Sequence, residues 1–141
     1  MTRLSVLGAL TLALALTACD SSDPIVTSCD NESLEISIDT LAVGTSPAQA
    51  NPNDRVLVNY RGTLTDGAEF DSGTNIAFTL TNTVSGFREG ITGMRLGGER
   101  RVTVPPLRGY GTQERQDADG NVVIPPCSVL IFEVELIDIL S

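Results

Sequence analysis

The stretch Val58-Asn59-Tyr60-Arg61-Gly62-Thr63-Leu64-Thr65-Asp66-Gly67-Ala68-Glu69-Phe70-Asp71 sets the character of this chain. From Val56 onward, Val56, Val58 and Tyr60 alternate with Leu57, Asn59 and Arg61, the period-two pattern of a strand with one face turned inward. Asp66-Gly67 then signals a turn, because glycine accepts the positive φ that tight hairpins require. Past the turn an aromatic ring, Phe70, stands beside a carboxylate, Asp71. In a buried wall that carboxylate would be costly unless it had a partner or a task.

Working outward, Leu34, Ile36 and Ile38 alternate with Glu35, Ser37 and Asp39, which predicts a half-buried strand, broken by the Pro-, Asn- and Gly-bearing stretch 44–54. Ile76, Phe78 and Leu80 predict another short strand. The helix candidate runs from Ser85 to Leu96: Ser85 offers an N-cap, Phe87, Ile91 and Met94 share one face, and Gly97-Gly98 supplies a stop. Val102 and Val104 alternate with Arg101 and Thr103 until Pro105-Pro106, and a polar loop follows to Val122. Val129 to Leu140 predicts a last strand, apolar on one face and interrupted on the other by Glu133 and Glu135. There is no internal repeat. The pattern is α+β, mostly strand with one short helix.

The aromatic residues, Tyr60, Phe70, Phe78, Phe87, Tyr110 and Phe132, mostly sit beside turns or polar residues, Tyr110 between Gly109 and Gly111. That placement suggests a lined pocket rather than an aliphatic core. The sequence has no His, no Trp and no Lys, which removes the commonest general base and the usual metal imidazole. At 141 residues and 41% hydrophobic content it holds one domain.

The first residues read as a separate unit. Arg3 is followed by an apolar run, Leu4 to Leu16, and by small residues before Cys19, the pattern of a secretory signal over 1–18, too short to span a membrane as a helix. Leu16-Thr17-Ala18-Cys19 resembles a bacterial lipobox, in which the Cys becomes the lipid-carrying N-terminus; ordinary signal cleavage leaving a free Cys19 is the alternative. Acyl chains contribute about 0.8 kcal/mol per buried CH₂, so two or more anchor stably. Residues 19–31 would be lipidated Cys and polar tether, and 32–141 the folded domain. The implied location is the bacterial cell envelope, lipid-anchored on the periplasmic face of either membrane or on the cell surface, with Asp20 hinting at inner-membrane retention. Without the signal, 8 Arg face 18 acidic residues, so phosphate backbones would be repelled and nucleic acid is an unfavoured partner. Gly97-Gly98 is a turn signal, not a phosphate-cradling loop.

Cys29 and Cys127 form an even pair in a compartment that permits disulfides. A bridge would close a loop of about 98 residues, on the order of 4 kcal/mol in the chain-entropy model; two unpaired thiols are the alternative. A catalytic thiol lacks a His to activate it.

In order along the chain, the opening stretch is followed by Gly86-Phe87-Arg88-Glu89-Gly90 with Met94 and Gly97, by Gly109-Tyr110-Gly111, and by Ile124-Pro125-Pro126 with Leu130-Ile131-Phe132-Glu133-Val134-Glu135-Leu136. Together these blocks resemble the FKBP-type peptidyl-prolyl cis-trans isomerases over roughly residues 32 to 140. The resemblance implies a twisted antiparallel sheet wrapped around a short helix, with substrate proline in an apolar pocket between them. It implies that Tyr60, Phe70, Phe78, Phe87, Val123, Ile124 and Phe132 line that pocket. It assigns the catalytic positions to Asp71, Tyr110 and the backbone N–H of Val84. Here the family's usual pocket-floor Trp is Phe87, Thr83-Val84 replaces a more apolar pair, and Thr112 to Asn121 enlarges a loop that lacks its histidine.

What the resemblance implies chemically is rotation of a prolyl amide, with no cofactor and no metal, on proline-containing polypeptides outside the cytoplasm. Affinity for macrolide inhibitors is an open expectation. A non-catalytic chaperone or binding module on the same fold is the alternative. The loop's Asp117-Ala118-Asp119-Gly120-Asn121 has the D-x-D-x-N spacing that opens a calcium loop, but Val122 stands in place of the turn Gly and Ser128 in place of the bidentate Glu, so a solvated turn is the expectation.

Overall fold

In the computed structural model, which describes Cys29 and residues 34–140, the alternating stretches become strands of one antiparallel sheet. The elements are β1 (Ser37–Ala42), β2 (Arg55–Leu64), β3 (Glu69–Thr79), α1 (Ser85–Ile91), β4 (Glu99–Val104), β5 (Arg115–Gln116), β6 (Val122–Ile124) and β7 (Leu130–Ile139). The sheet order is β1-β4-β7-β2-β3, while β5 and β6 pair separately. The expected signal 1–18, lipidation at Cys19 and tether 19–31 lie outside the described residues, Cys29 excepted.

Alternation decides the two faces. Leu130, Phe132, Val134 and Leu136 of β7 are buried, as are Val56 and Val58 of β2 and Val102 and Val104 of β4. Each such side chain contributes about 1.5 to 3 kcal/mol relative to exposure. They form one cluster with Phe87 and Ile91 of α1 and with Leu80 and Met94. The helix can lie this close because two glycines face the sheet. A Cβ at Gly90 would stand 2.5 Å from Val102 Cγ1, and one at Gly86 would run into Val104. The outer face carries charge in alternating sign: Asp39, Arg101, Glu133 and Arg61 are consecutive partners across β1, β4, β7 and β2. Arg101 Nη2 lies 2.6 Å from Glu133 Oε1, and Arg61 Nε 2.7 Å from Glu69 Oε2. Solvent reaches both pairs, which limits each to less than about 1 kcal/mol.

Several sequence expectations need correction. The helix ends at Ile91 rather than Leu96: Thr92 leaves helical geometry at ψ 130° and Gly93 N–H turns to Ala50 O. Arg100 on β4 finishes that end, its Nη1 donating to Gly90 O at 2.7 Å and Thr92 O at 3.0 Å, where the carbonyl end of a helix favours a cation. Met94 is buried by the following turn, not by a helical face. Ser85 does not cap; Val84 occupies the N-cap position and the Ser85 hydroxyl donates to Arg108 O instead. β1 is exposed along its whole length rather than half-buried, because it is the edge strand and α1 packs on β4 and β7. Leu80 is not in a strand but opens a 3-10 turn, Leu80–Asn82, after β3 ends. The polar loop before Val122 contains the β5–β6 hairpin. At its tip Asp117 Oδ1 accepts from the backbone N–H of Asp119 and of Asn121, and both carboxylate oxygens accept from Asn121 Nδ2. Those bonds hold the Asp117 carboxyl below its usual range, and the carboxylate closes the turn itself.

Cys29 and Cys127 are joined, with Cα atoms 5.3 Å apart across 98 residues of sequence. The Cys127 N–H also donates to Gly111 O at 2.7 Å, which ties the bridge to the turn that carries Tyr110.

Candidate functional site

Five of the six aromatic rings form one edge-to-face chain. Tyr60 of β2 meets Phe78 of β3 at 5.2 Å between centroids, Phe78 meets Phe87 of α1 at 5.7 Å, Phe87 meets Phe132 of β7 at 5.0 Å, and Phe132 meets Phe70 at 5.6 Å. Interplanar angles of 68° to 89° set ring edges against faces, worth about 0.5 to 1.5 kcal/mol per pair beyond burial. Local sequence permits the arrangement. Gly62 is paired with both Asp71 and Phe132, and a Cβ there would sit 2.5 Å from Phe70 Cζ, so the ring takes the space of the missing side chain.

Together these rings line a pocket of about 300 Å³. Phe87, only 4% exposed, forms its floor with Phe78 and Phe132. The rest of the lining is largely polar, with Asp71, Asn82, Thr83, Tyr110 and Arg115, and with Val84 at the start of α1. Asp71 is exposed rather than set in a buried wall, and its Oδ2 accepts a 2.7 Å hydrogen bond from the Tyr60 hydroxyl. Burial, and then the bond to Asp71, push the Tyr60 phenol well above its ordinary range, so it stays protonated and donating. Thr83 closes the 3-10 turn, its hydroxyl donating to Leu80 O at 2.8 Å. That turn delivers Val84 to the start of α1, where its carbonyl accepts from Arg88 N–H. Tyr110 is presented by the Pro106–Arg108 turn, with Gly109 and Gly111 N–H both donating to Pro106 O. Among the described residues neither the Val84 N–H nor the Tyr110 hydroxyl has a hydrogen-bond partner.

Of the site residues read from the sequence, the structure brings Tyr60, Phe70, Asp71, Phe78, Val84, Phe87, Tyr110 and Phe132 into one pocket. It does not bring Val123 or Ile124. Ile124 is 4% exposed inside the core and half-buried Val123 packs against that core. β6 pairs only with β5, and it is Arg115 on β5 that reaches the pocket in their place. Asn82 and Arg115 were not singled out by sequence reasoning. A signal existed for Arg115, the lone cation in the enlarged loop.

The fold and pocket together define a class: an antiparallel sheet curled against one short helix, enclosing an aromatic cavity with free hydrogen-bond donors at its lip. Residues 46–137 match the family FKBP-type peptidyl-prolyl cis-trans isomerase, and the chain belongs to that family. It is 40% identical over 91 residues to the FKBP-type peptidyl-prolyl cis-trans isomerase FkpA of Escherichia coli strain K12, a match covering 62% of this chain and 32% of that protein. The chain thus spans about a third of the length of that relative. The FK506-binding protein of Neisseria meningitidis serogroup C is 40% identical over 97 residues, covering 64% of this chain and 84% of that one. A crystal structure of a peptidyl-prolyl cis-trans isomerase from Pseudomonas syringae pv. tomato DC3000 superposes with a TM-score of 0.67 at 31% identity, covering 85% and 84% of the two chains. The FKBP-like fold is shared with it.

Proposed function

We propose that this chain accelerates cis/trans isomerisation of X-Pro bonds in polypeptides of the bacterial cell envelope, held at a membrane by lipid on Cys19. The observation that carries the catalytic reading is the pairing of a closed aromatic floor with two unpartnered donors, Val84 N–H and Tyr110 O–H, at its lip. The anchoring reading rests on the sequence pattern before and at Cys19.

Rotation about a prolyl amide breaks no σ bond but removes the resonance that gives the C–N bond its double character, a barrier of about 18 to 20 kcal/mol. The planar amide has the larger charge separation, so an apolar floor of Phe78, Phe87 and Phe132 destabilises it relative to the twisted form. Val84 N–H and Tyr110 O–H hold carbonyl oxygens flanking the proline. Asp71 fixes Tyr60 as a wall; no proton transfer is required of it. Lowering the barrier by about 4 kcal/mol would give roughly a thousandfold acceleration. Unfolded chains are the natural substrates, because their X-Pro bonds isomerise slowly enough to limit folding. A macrolide inhibitor would compete for the same floor.

The test is a protease-free isomerisation assay comparing wild type with folded Asp71→Leu and Tyr110→Ala variants. Acceleration that is lost in the variants supports the enzyme and its site. No acceleration by folded wild type, across several residues preceding proline, sinks the catalytic reading and leaves a peptide-binding module on this fold.

A further inference from the structure

We propose that Arg115 makes the pocket selective for substrates carrying a carboxylate side chain beside the proline, an inference that rests on the isomerase reading. Arg115 is an exposed residue of the enlarged loop, and its guanidinium carbon lies over the Tyr110 ring, 5.0 Å from the centroid, a cation–π contact. A cation–π contact is not an ion pair and leaves the guanidinium free to take a carboxylate as well. No carboxylate among the described residues takes it. Neighbouring Glu114 is engaged by Gln116 Nε2 at 2.6 Å, and Asp71, the acidic side chain of the pocket lining, accepts from Tyr60. The salt bridges of the described residues involve Arg61, Arg101 and Arg108, not Arg115.

A planar fork of donors, pre-oriented by an aromatic ring, suits bidentate capture of a carboxylate. It also stands on the residue proposed to bind a carbonyl flanking the proline, so an acidic side chain next to that proline comes within its reach. The chain as a whole is acidic, with a formal net charge of −9, and would repel such a substrate at long range. Selectivity here is therefore local and must vanish when this one cation is removed.

The test uses the purified full-length chain and peptides acetylated and amidated at their ends, so that the only carboxylate is a side chain. Turnover is followed without protease by magnetisation-exchange NMR for the pairs Glu-Pro/Gln-Pro and Leu-Pro-Glu/Leu-Pro-Gln. For at least one pair, wild type should give a kcat/KM about two- to fivefold higher with Glu, the range of a partly exposed ion pair. The ratio should fall to about one in Arg115→Gln, invert in Arg115→Glu, and shrink as salt rises. A Glu-to-Gln ratio that is the same in wild type and Arg115→Gln for both pairs overturns the inference while Leu-Pro turnover still supports the enzyme. If folded wild type turns over none of the peptides, the isomerase reading falls and takes this one with it.

Discussion

The floor of the pocket and its rim are held by different means. Phe78, Phe87 and Phe132 are fixed by packing: they contact each other edge to face and Phe87 rides on a helix pressed onto β4 across Gly86 and Gly90. The rim is held by directed bonds, among them Tyr60 to Asp71, Gly111 and Gly109 to Pro106, and Cys127 to Gly111, with the Cys29–Cys127 bridge behind the last. Packing is close to all-or-none, since a core neither compresses nor opens smoothly. Single hydrogen bonds at an exposed lip can change without unfolding the domain. On the proposed function, the difference separates stability from selectivity: the floor would determine whether a proline is accepted at all, and the rim which flanking residues accompany it.

The largest effect should come from the floor. Phe87→Ala is expected to cost about 3 to 5 kcal/mol in urea unfolding and to remove measurable isomerisation; retention of both would break the contrast at its root. Cutting the rim's covalent support comes next. Cys29→Ser is expected to cost about 2 to 5 kcal/mol and to speed amide exchange at Cys127 and Gly111 more than at the strands under Phe132. Gly90→Ala asks whether the floor depends on close approach of the helix. Its methyl group meets Val102, for an expected loss of about 1 to 3 kcal/mol, read from thermal unfolding.

Tyr60→Phe, which removes only the bond to exposed Asp71, should cost about 1 kcal/mol or less. It carries a pH signature too. A phenol ordinarily ionises near pH 10, and Tyr60 in the folded chain ionises higher, from burial and from Asp71. The stability it contributes is therefore complete below about pH 10 and drains away as pH rises from there toward the folded value. Stability curves of wild type and Tyr60→Phe that stay parallel through that alkaline range would refute the assignment.

Where neighbours along the chain set the structure, the sequence was informative. β2, β4 and β7 could be read from alternation because one face of each is buried in the same core cluster, and Pro105-Pro106 and Asp66-Gly67 marked their ends. β1 misled for the complementary reason: its alternation is intact, but an edge position beyond the helix leaves nothing to bury it. The helix was read too long because Met94 continues the apolar spacing, although Thr92 has already turned the chain and Met94 O is taken by Ala50 N–H. The aromatic members of the pocket were legible through the order of family motifs. Arg115 was marked only as the lone cation of the enlarged loop, and its place at the pocket depends on a two-residue strand pairing whose register no local pattern encodes.

The sheet order makes one strand the seam of both the core and the pocket. β1 pairs with β4 and β2 with β3, but the two pairs meet only through β7, which follows all of them in the chain. The buried residues of both halves belong to one cluster, so the core is continuous only with β7 lying between them. Phe132 belongs to that same strand, so the ring that links Phe87 to Phe70 is supplied by the element that joins the two halves of the sheet.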